Sequence, residues 1–220
     1  MMVGGSCFGL YGAASAIPYR GVHMRRLGLI AAALGGVGLA FPANAQLMDV
    51  LTAPKTLIER AAEARSTSDI AKDNAIVVKV NAAMARAGTA KAATEIYEQR
   101  LLVTGLFSDK ATFDAFQKDV KVIEGIKKLY WHVTWLSDDD PKRKGLPGWS
   151  DTLAIAAKAQ VRLTKAAGGR YVNYRVAGDS YGNLYVVGRA YAKDEANAVI
   201  GALKDGDGVR KVISYIDVRP

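Results

Sequence analysis

Apolar residues recur at every fourth position in two places: Ile76, Val80 and Met84 after Asp73, and Ile155, Ala159 and Leu163 after Asp151. That spacing keeps each set on one face of a helix. Both predicted helices run towards a glycine, Gly88 or the pair Gly168 and Gly169, which suits the left-handed residue that commonly ends a helix. Beyond each glycine the pattern becomes β-like. Thr94 to Gly105 holds two β-prone runs around a polar centre, and Tyr171 to Gly188 holds Tyr174–Val176 and Leu184–Val187 on either side of Tyr181, Gly182 and Asn183. Each stretch predicts a β-hairpin. The second is about three residues longer, since Gly88 to Gly105 spans 17 positions and Gly168 to Gly188 spans 20.

A second helix is predicted after each hairpin. Phe113, Phe116, Val120 and Ile123 share a face in the first case, and Ala196, Val199, Leu203 and Gly206 share a thinner one in the second. The thinner face needs its core filled from elsewhere, with the tyrosines of that half as the available volume. Each helix leads to a turn at Gly125 or Gly208 and then to a final strand. Leu129, Val133 and Trp135, or Val212, Ile216 and Val218, should face the helices.

These correspondences share one offset of 83: Gly105 with Gly188, Gly125 with Gly208, Ile126 with Val209, Lys127 with Arg210, Val133 with Ile216. The second half is a diverged copy of the first. The predicted fold class is therefore α+β, with two tandem αββαβ modules, each a small three-stranded mixed sheet packed on two helices. The expected boundaries are 69–136 and 149–220. Residues 137–148, with Asp138, Asp139, Asp140, Pro141, Pro147 and two glycines, form a linker.

The amino-terminal 45 residues contain no acid. Arg25 and Arg26, the apolar run Leu27 to Ala40, and an Ala-x-Ala ending at Ala45 together predict a cleavable secretory signal, leaving Gln46 as the first mature residue. Met24 is an alternative start, which would make residues 1–23 an over-extended reading. Residues 46–68 form a partly helical lead-in, with a helix-capping signal expected at Ser68 or Asp69. The formal charge is +9, and removal of Arg20, Arg25 and Arg26 with the leader lowers it to +6. A mildly basic exported protein is expected to meet anionic lipid headgroups or envelope polymers, not nucleic acid. Cys7, the single cysteine, lies in the leader, so the mature chain has no disulfide and no thiolate site.

Three features taken together resemble the BON domain. They are the hairpin closing on Val103, Thr104, Gly105 or on Val187, Gly188; the turn Glu124, Gly125, Ile126, Lys127, Lys128; and its copy Asp207, Gly208, Val209, Arg210, Lys211. A tandem pair behind a signal is similar to the dual-BON proteins of the Gram-negative envelope. That resemblance implies a periplasmic protein supporting envelope integrity, in a setting of osmotic stress, by binding phospholipid. With no cysteine at the cleavage site, a soluble periplasmic form is expected, with peripheral membrane association.

The residues give little support to catalysis. No phosphate loop, nucleophile elbow or zinc-protease motif is present, and neither a cofactor nor a metal is expected. His132, alone in the mature chain, is expected at a surface or between the modules. The aspartates at 138–140 lack the spacing of a calcium loop, as do Asp205 and Asp207. Arg170, Tyr171, Tyr174, Arg175, Tyr181 and Arg189 interleave cations with tyrosines, as a hairpin holding anionic phospholipid would. The competing reading has alternate tyrosines filling the thin second core while the arginines are merely solvated. Trp131 and Trp149 are weaker candidates that could instead close the interface between modules. A second functional class also fits: a protein-interaction module that docks an envelope assembly through exposed sheet faces or edges.

Overall fold

The computed structural model describes residues 62–220. The leader, its cleavage point and most of the 46–68 lead-in lie outside them. Helix α1 spans Thr67–Arg86, and its cap is Ser66, ahead of the expected Ser68 or Asp69. The Ser66 hydroxyl accepts from Asp69 N at 3.0 Å and donates to the Asp69 carboxylate at 2.7 Å, so the two residues cap the helix together. The buried stripe is Ile76, Val77, Val80, Ala83 and Met84. The helix gives way at Gly88, where φ is +68°.

Strands β1 (Ala92–Tyr97) and β2 (Arg100–Phe107) form the first hairpin. Helix α2 (Lys110–Lys121) is capped by Asp109, which accepts from Thr112 N at 2.6 Å, and carries the chain over to β3 (Lys128–Trp135), parallel to β2. The second half repeats the order with α3 (Trp149–Ala167), β4 (Tyr174–Gly178), β5 (Asn183–Ala190), α4 (Lys193–Lys204) and β6 (Lys211–Val218). The sheets run β1-β2-β3 and β4-β5-β6, each with one antiparallel and one parallel pairing. The fold class read from the repeat is the one observed.

Strand register locates the extra length of the second hairpin. Ala92 faces Gly105, and Tyr174 faces Gly188. Two of the added residues therefore precede β4, in the 3-10 turn Gly168–Asn173. The third lies in the turn itself. Only Glu98 and Gln99 separate the last pair of the first hairpin, Tyr97 and Arg100, whereas Ser180, Tyr181 and Gly182 lie between Asp179 and Asn183. The repeated glycines of β2 and β5 are required by close approach. A Cβ on Gly105 would sit 2.6 Å from the Lys91 carbonyl oxygen, and one on Gly188 would sit 2.3 Å from that of Asn173.

Each pair of helices covers one face of its sheet. The first core holds Val80, Leu101, Val103, Phe107, Phe116 and Val120, with the Trp131 ring 5.5 Å from that of Phe116. The second core lacks the two phenylalanines. Fully buried Tyr174 takes up the volume there and donates its hydroxyl to Glu195 Oε1 at 2.6 Å.

The other faces of the two sheets pack against each other, burying Tyr97, Leu102, Ala177, Tyr185 and Val187. Burial of a large apolar side chain contributes about 1.5–3 kcal/mol, so this seam holds the modules together firmly. His132 Nε2 meets Tyr215 Oη at 2.8 Å, and these residues occupy the same place in the two copies, 83 positions apart. Equivalent positions of the two copies thus meet at the seam.

The described end of the lead-in belongs to the seam. Asn173, wholly buried, donates from Nδ2 to Ala62 O at 2.9 Å, while its Oδ1 accepts from Ala64 N at 2.8 Å and from the Tyr97 hydroxyl at 3.2 Å. A residue of the second module therefore grips the chain that enters the first. Next to it, Arg65 bridges Glu63 at 2.9 Å and Asp73 at 2.8 Å, and lies over the Tyr97 ring at 4.7 Å. Burial opposes its charge, but Glu63 and then Asp73 outweigh that penalty and raise its pKa.

Candidate functional site

Packing the sheets face to face changes which surfaces can receive a partner. Both open faces that a single module would present are consumed by the seam. Four strand edges remain, those of β1, β3, β4 and β6. An unpaired edge is a template for another strand, and proteins commonly protect edges by placing charges on them. Strands β1 and β4 lie against each other at the seam, with Glu95 and Arg175 facing into it, and β6 carries Asp217, 49 % exposed. Strand β3 has no acid, lysine, arginine or proline after Lys128, and it ends at Thr134 and Trp135, both exposed, the latter by 40 %.

Ring stacking fixes the position of β3. Tyr130 lies flat on Tyr215 with ring centroids 3.8 Å apart, and His132 stacks on Tyr185 at 4.1 Å. Tyr185 donates its hydroxyl to Asp179 at 2.8 Å; burial, followed by that bond, raises its pKa. Burial lowers the pKa of His132, while Asp179 acts in the opposite sense. The histidine is an intermodule side chain held neutral between tyrosines, one of the two places expected for it.

The six residues expected to form a lipid-binding hairpin are spread over different environments. Tyr174 is in the second core, and Tyr171 packs against it. Arg175 points into the seam, donating to Val172 O at 2.9 Å and to Tyr174 O at 2.7 Å; burial lowers its pKa. Facing it across the seam is Glu95, whose carboxyl is pushed up to about 7 by burial, with Arg175 pulling the other way. Tyr181 sits at the β4–β5 turn, its hydroxyl 3.5 Å from that of Thr134. Arg170 and Arg189 both lie over exposed Tyr191, at 5.0 and 5.2 Å from its ring. Arg170 also pairs with Glu195 at 2.8 Å, and Arg189 donates to the carbonyls of Arg219 and Pro220.

Other candidates have structural partners. Asp140 accepts from Lys142 N at 2.8 Å at the start of a short 3-10 turn, and Asp138 lies 3.4 Å from Arg143. Among the described residues no group of three or more His, Cys, Asp or Glu gathers to hold a metal ion. No helix among them is long and apolar enough to cross a membrane. Trp131 belongs to the first core, and Trp149 begins α3 beside the linker. The run Leu129 to Trp135, free of acid, lysine, arginine and proline, is the signal that could have drawn attention to β3 from the sequence. The coupling of Glu95 with Arg175 has no such signal, because it depends on how the modules pack.

No family model matches the chain. It is 29% identical over 154 residues to an uncharacterized protein in the gshII 5′ region of Anaplasma centrale, covering 67% of this chain and 95% of that one. Among solved structures it is similar to the C-terminal domain of CdsD, a structural protein of the type III secretion system of Chlamydia trachomatis. The identity is 12% and the TM-score 0.29, covering 66% of this chain and 98% of that one. A second CdsD structure gives 12% identity and a TM-score of 0.26, with coverage of 66% and 93%.

Proposed function

We propose that this protein is a non-catalytic interaction module of the cell envelope, periplasmic after removal of its leader, which docks a partner protein by pairing a strand of that partner with β3. The observation that carries this reading is the contrast among the four edges. Strands β1 and β4 lie against each other at the seam, β6 carries exposed Asp217, and β3 carries no acid, lysine, arginine or proline after Lys128. Backbone hydrogen bonds would supply affinity, and exposed Trp135 beside the edge would supply selectivity. The resemblance to tandem BON proteins supports the compartment.

The test is a photo-crosslinking residue at Trp135, compared with the same residue at exposed Val161 on α3. A discrete adduct from Trp135 alone, lost when Thr134→Lys is added without a change in thermal stability, is expected. Equal labelling from both positions, or an adduct indifferent to Thr134→Lys, would remove the reading.

A second reading keeps anionic phospholipid as the ligand, on the evidence of Arg170 and Arg189 lying over Tyr191. Guanidinium groups beside an exposed tyrosine suit a headgroup region. Co-sedimentation with anionic but not zwitterionic vesicles, weakened by salt and by Arg170→Gln with Arg189→Gln, is its expected signature. Arg175 is excluded from that variant because its replacement would disturb the seam.

A further inference from the structure

Where the linker passes from the first module to the second, a cavity of about 210 Å³ opens between the end of the first sheet and the β4–β5 turn. Its lining divides by chemistry. Leu106, Leu146 and Trp149 supply apolar surface, and Lys91, Arg143 and Ser180 supply polar groups. No carboxylate lines it. Arg143 Nη1 donates to the carbonyls of Phe107 and Leu136, and its Nε lies 3.4 Å from Asp138. Its Nη2 has no protein partner among the described residues, and neither does Lys91 Nζ. Ser180 is 5 % exposed, and its hydroxyl has only the distant Thr152 hydroxyl, at 3.4 Å.

We propose that this cavity binds a single carboxylate carried on an apolar body about one residue in size. Arg143 Nη2 and Lys91 Nζ would take the carboxylate, Ser180 would donate to it, and the apolar body would rest on Leu146 and Trp149. Arg143 is already fixed by the carbonyls of Leu136 and of Phe107 in β2, so little order has to be imposed on it when the ligand arrives. Charge complementarity selects an anion. The apolar half of the lining selects against inorganic phosphate, which has nothing to cover it. Two sources share this chemistry, the chain end of a polypeptide and a free small acid. The inference is independent of docking at β3, because the lining includes no residue of that strand.

The experiment is a titration of the full chain, labelled with ¹⁵N, following the indole N–H of Trp149 as identified by Trp149→Phe. The probes are acetyl-Gly-Ala-Leu as the acid, its C-terminal amide, N-acetyl-leucine and inorganic phosphate. The acid should give a saturable shift, and the amide should bind at least about tenfold more weakly. Lys91→Gln should weaken the acid by about tenfold while amides outside the cavity keep their positions. Ser180→Ala gives a second, smaller loss. N-acetyl-leucine matching the tripeptide assigns the site to free acids, and a tighter tripeptide assigns it to chain ends. Equal binding of acid and amide, phosphate binding as tightly as the acid, or no Trp149 shift with any probe at about 10 mM would overturn the proposal.

Discussion

The two hairpin turns are the same part of the same repeat, yet they are held in different ways. In the second module Asp179, within the turn, accepts from Tyr181 N, Asn183 N and Asn183 Nδ2 at 2.8, 2.9 and 2.8 Å, and from the Tyr185 hydroxyl at 2.8 Å. Gly182 provides the left-handed residue at φ +77°. In the first module Glu98 and Gln99 both adopt positive φ, 53° and 63°, without a glycine. Such residues cost about 1–3 kcal/mol each unless their surroundings hold them. The support comes from helix α1. Asp73, 1 % exposed, accepts from Glu98 N, Gln99 N and Gln99 Nε2 at 2.9, 2.6 and 2.9 Å, and from Arg65 at 2.8 Å. Duplication preserved the need for a buried carboxylate at the turn but not its source. The second turn supplies its own carboxylate, whereas the first takes its carboxylate from a helix that is itself tied to the lead-in.

The largest expected effect follows from that dependence. Asp73→Ala should cost about 3–5 kcal/mol in urea unfolding, because it strands the turn donors and removes a partner from buried Arg65. Asp179→Ala should cost less, about 2–3 kcal/mol, with no buried cation left behind. A double-mutant cycle sharpens the contrast. Arg65→Met should be strongly non-additive with Asp73→Ala and additive with Asp179→Ala. A larger loss from Asp179→Ala, or additivity in both cycles, would break the comparison.

The helices, the hairpins and the repeat were legible because each depends on local periodicity and on glycines at fixed places. The stripe Ile76, Val80 and Met84 needs no tertiary information, and Gly125 and Gly208 mark turns wherever they occur. The first hairpin turn was less visible, since Glu98 and Gln99 are not turn formers and their support is 25 and 26 residues away at Asp73. Of the candidate site, strand alternation put His132 on the face opposite Val133 but left open whether that face was surface or intermodule; the structure places it between the modules. The interleaved arginines and tyrosines were harder to read, because alternation separates the faces of a strand without saying that one face meets a second sheet. Arg175 looks like a surface cation in the sequence, and it faces Glu95 in the structure.

That facing pair gives the next comparison, between the charged side of the seam and its aromatic side. The Glu95 carboxyl titrates at about 7 in the fold, raised by burial from an ordinary 4.5. Its contribution to stability is therefore complete below pH 4.5 and is lost as pH rises through 7. Glu95→Gln cannot ionise, so it should be neutral near pH 4 and stabilising by about 1–3 kcal/mol at pH 8. Thermal unfolding of both chains across that range checks it. Destabilisation at pH 8 would show that attraction to Arg175 outweighs the burial cost.

On the aromatic side, Tyr215→Phe removes the hydroxyl that meets His132 while keeping the ring stacked on Tyr130. The expected loss is about 0.5–1.5 kcal/mol, the usual net value of one hydrogen bond, and the smallest change proposed. Its pH dependence should oppose that of Glu95. Burial lowers the His132 pKa below 6.5, so its contribution is present above that value and is lost as pH falls through the folded pKa. Measured in the Glu95→Gln background, where the rising-pH loss is absent, the seam should weaken on acidification from pH 7 to pH 5. His132→Gln should flatten that slope. A slope unchanged by His132→Gln would mean that the histidine, although it lies between the modules, stays uncharged or finds a partner when protonated. The response of the seam to pH would then come from its charged side alone, through Glu95.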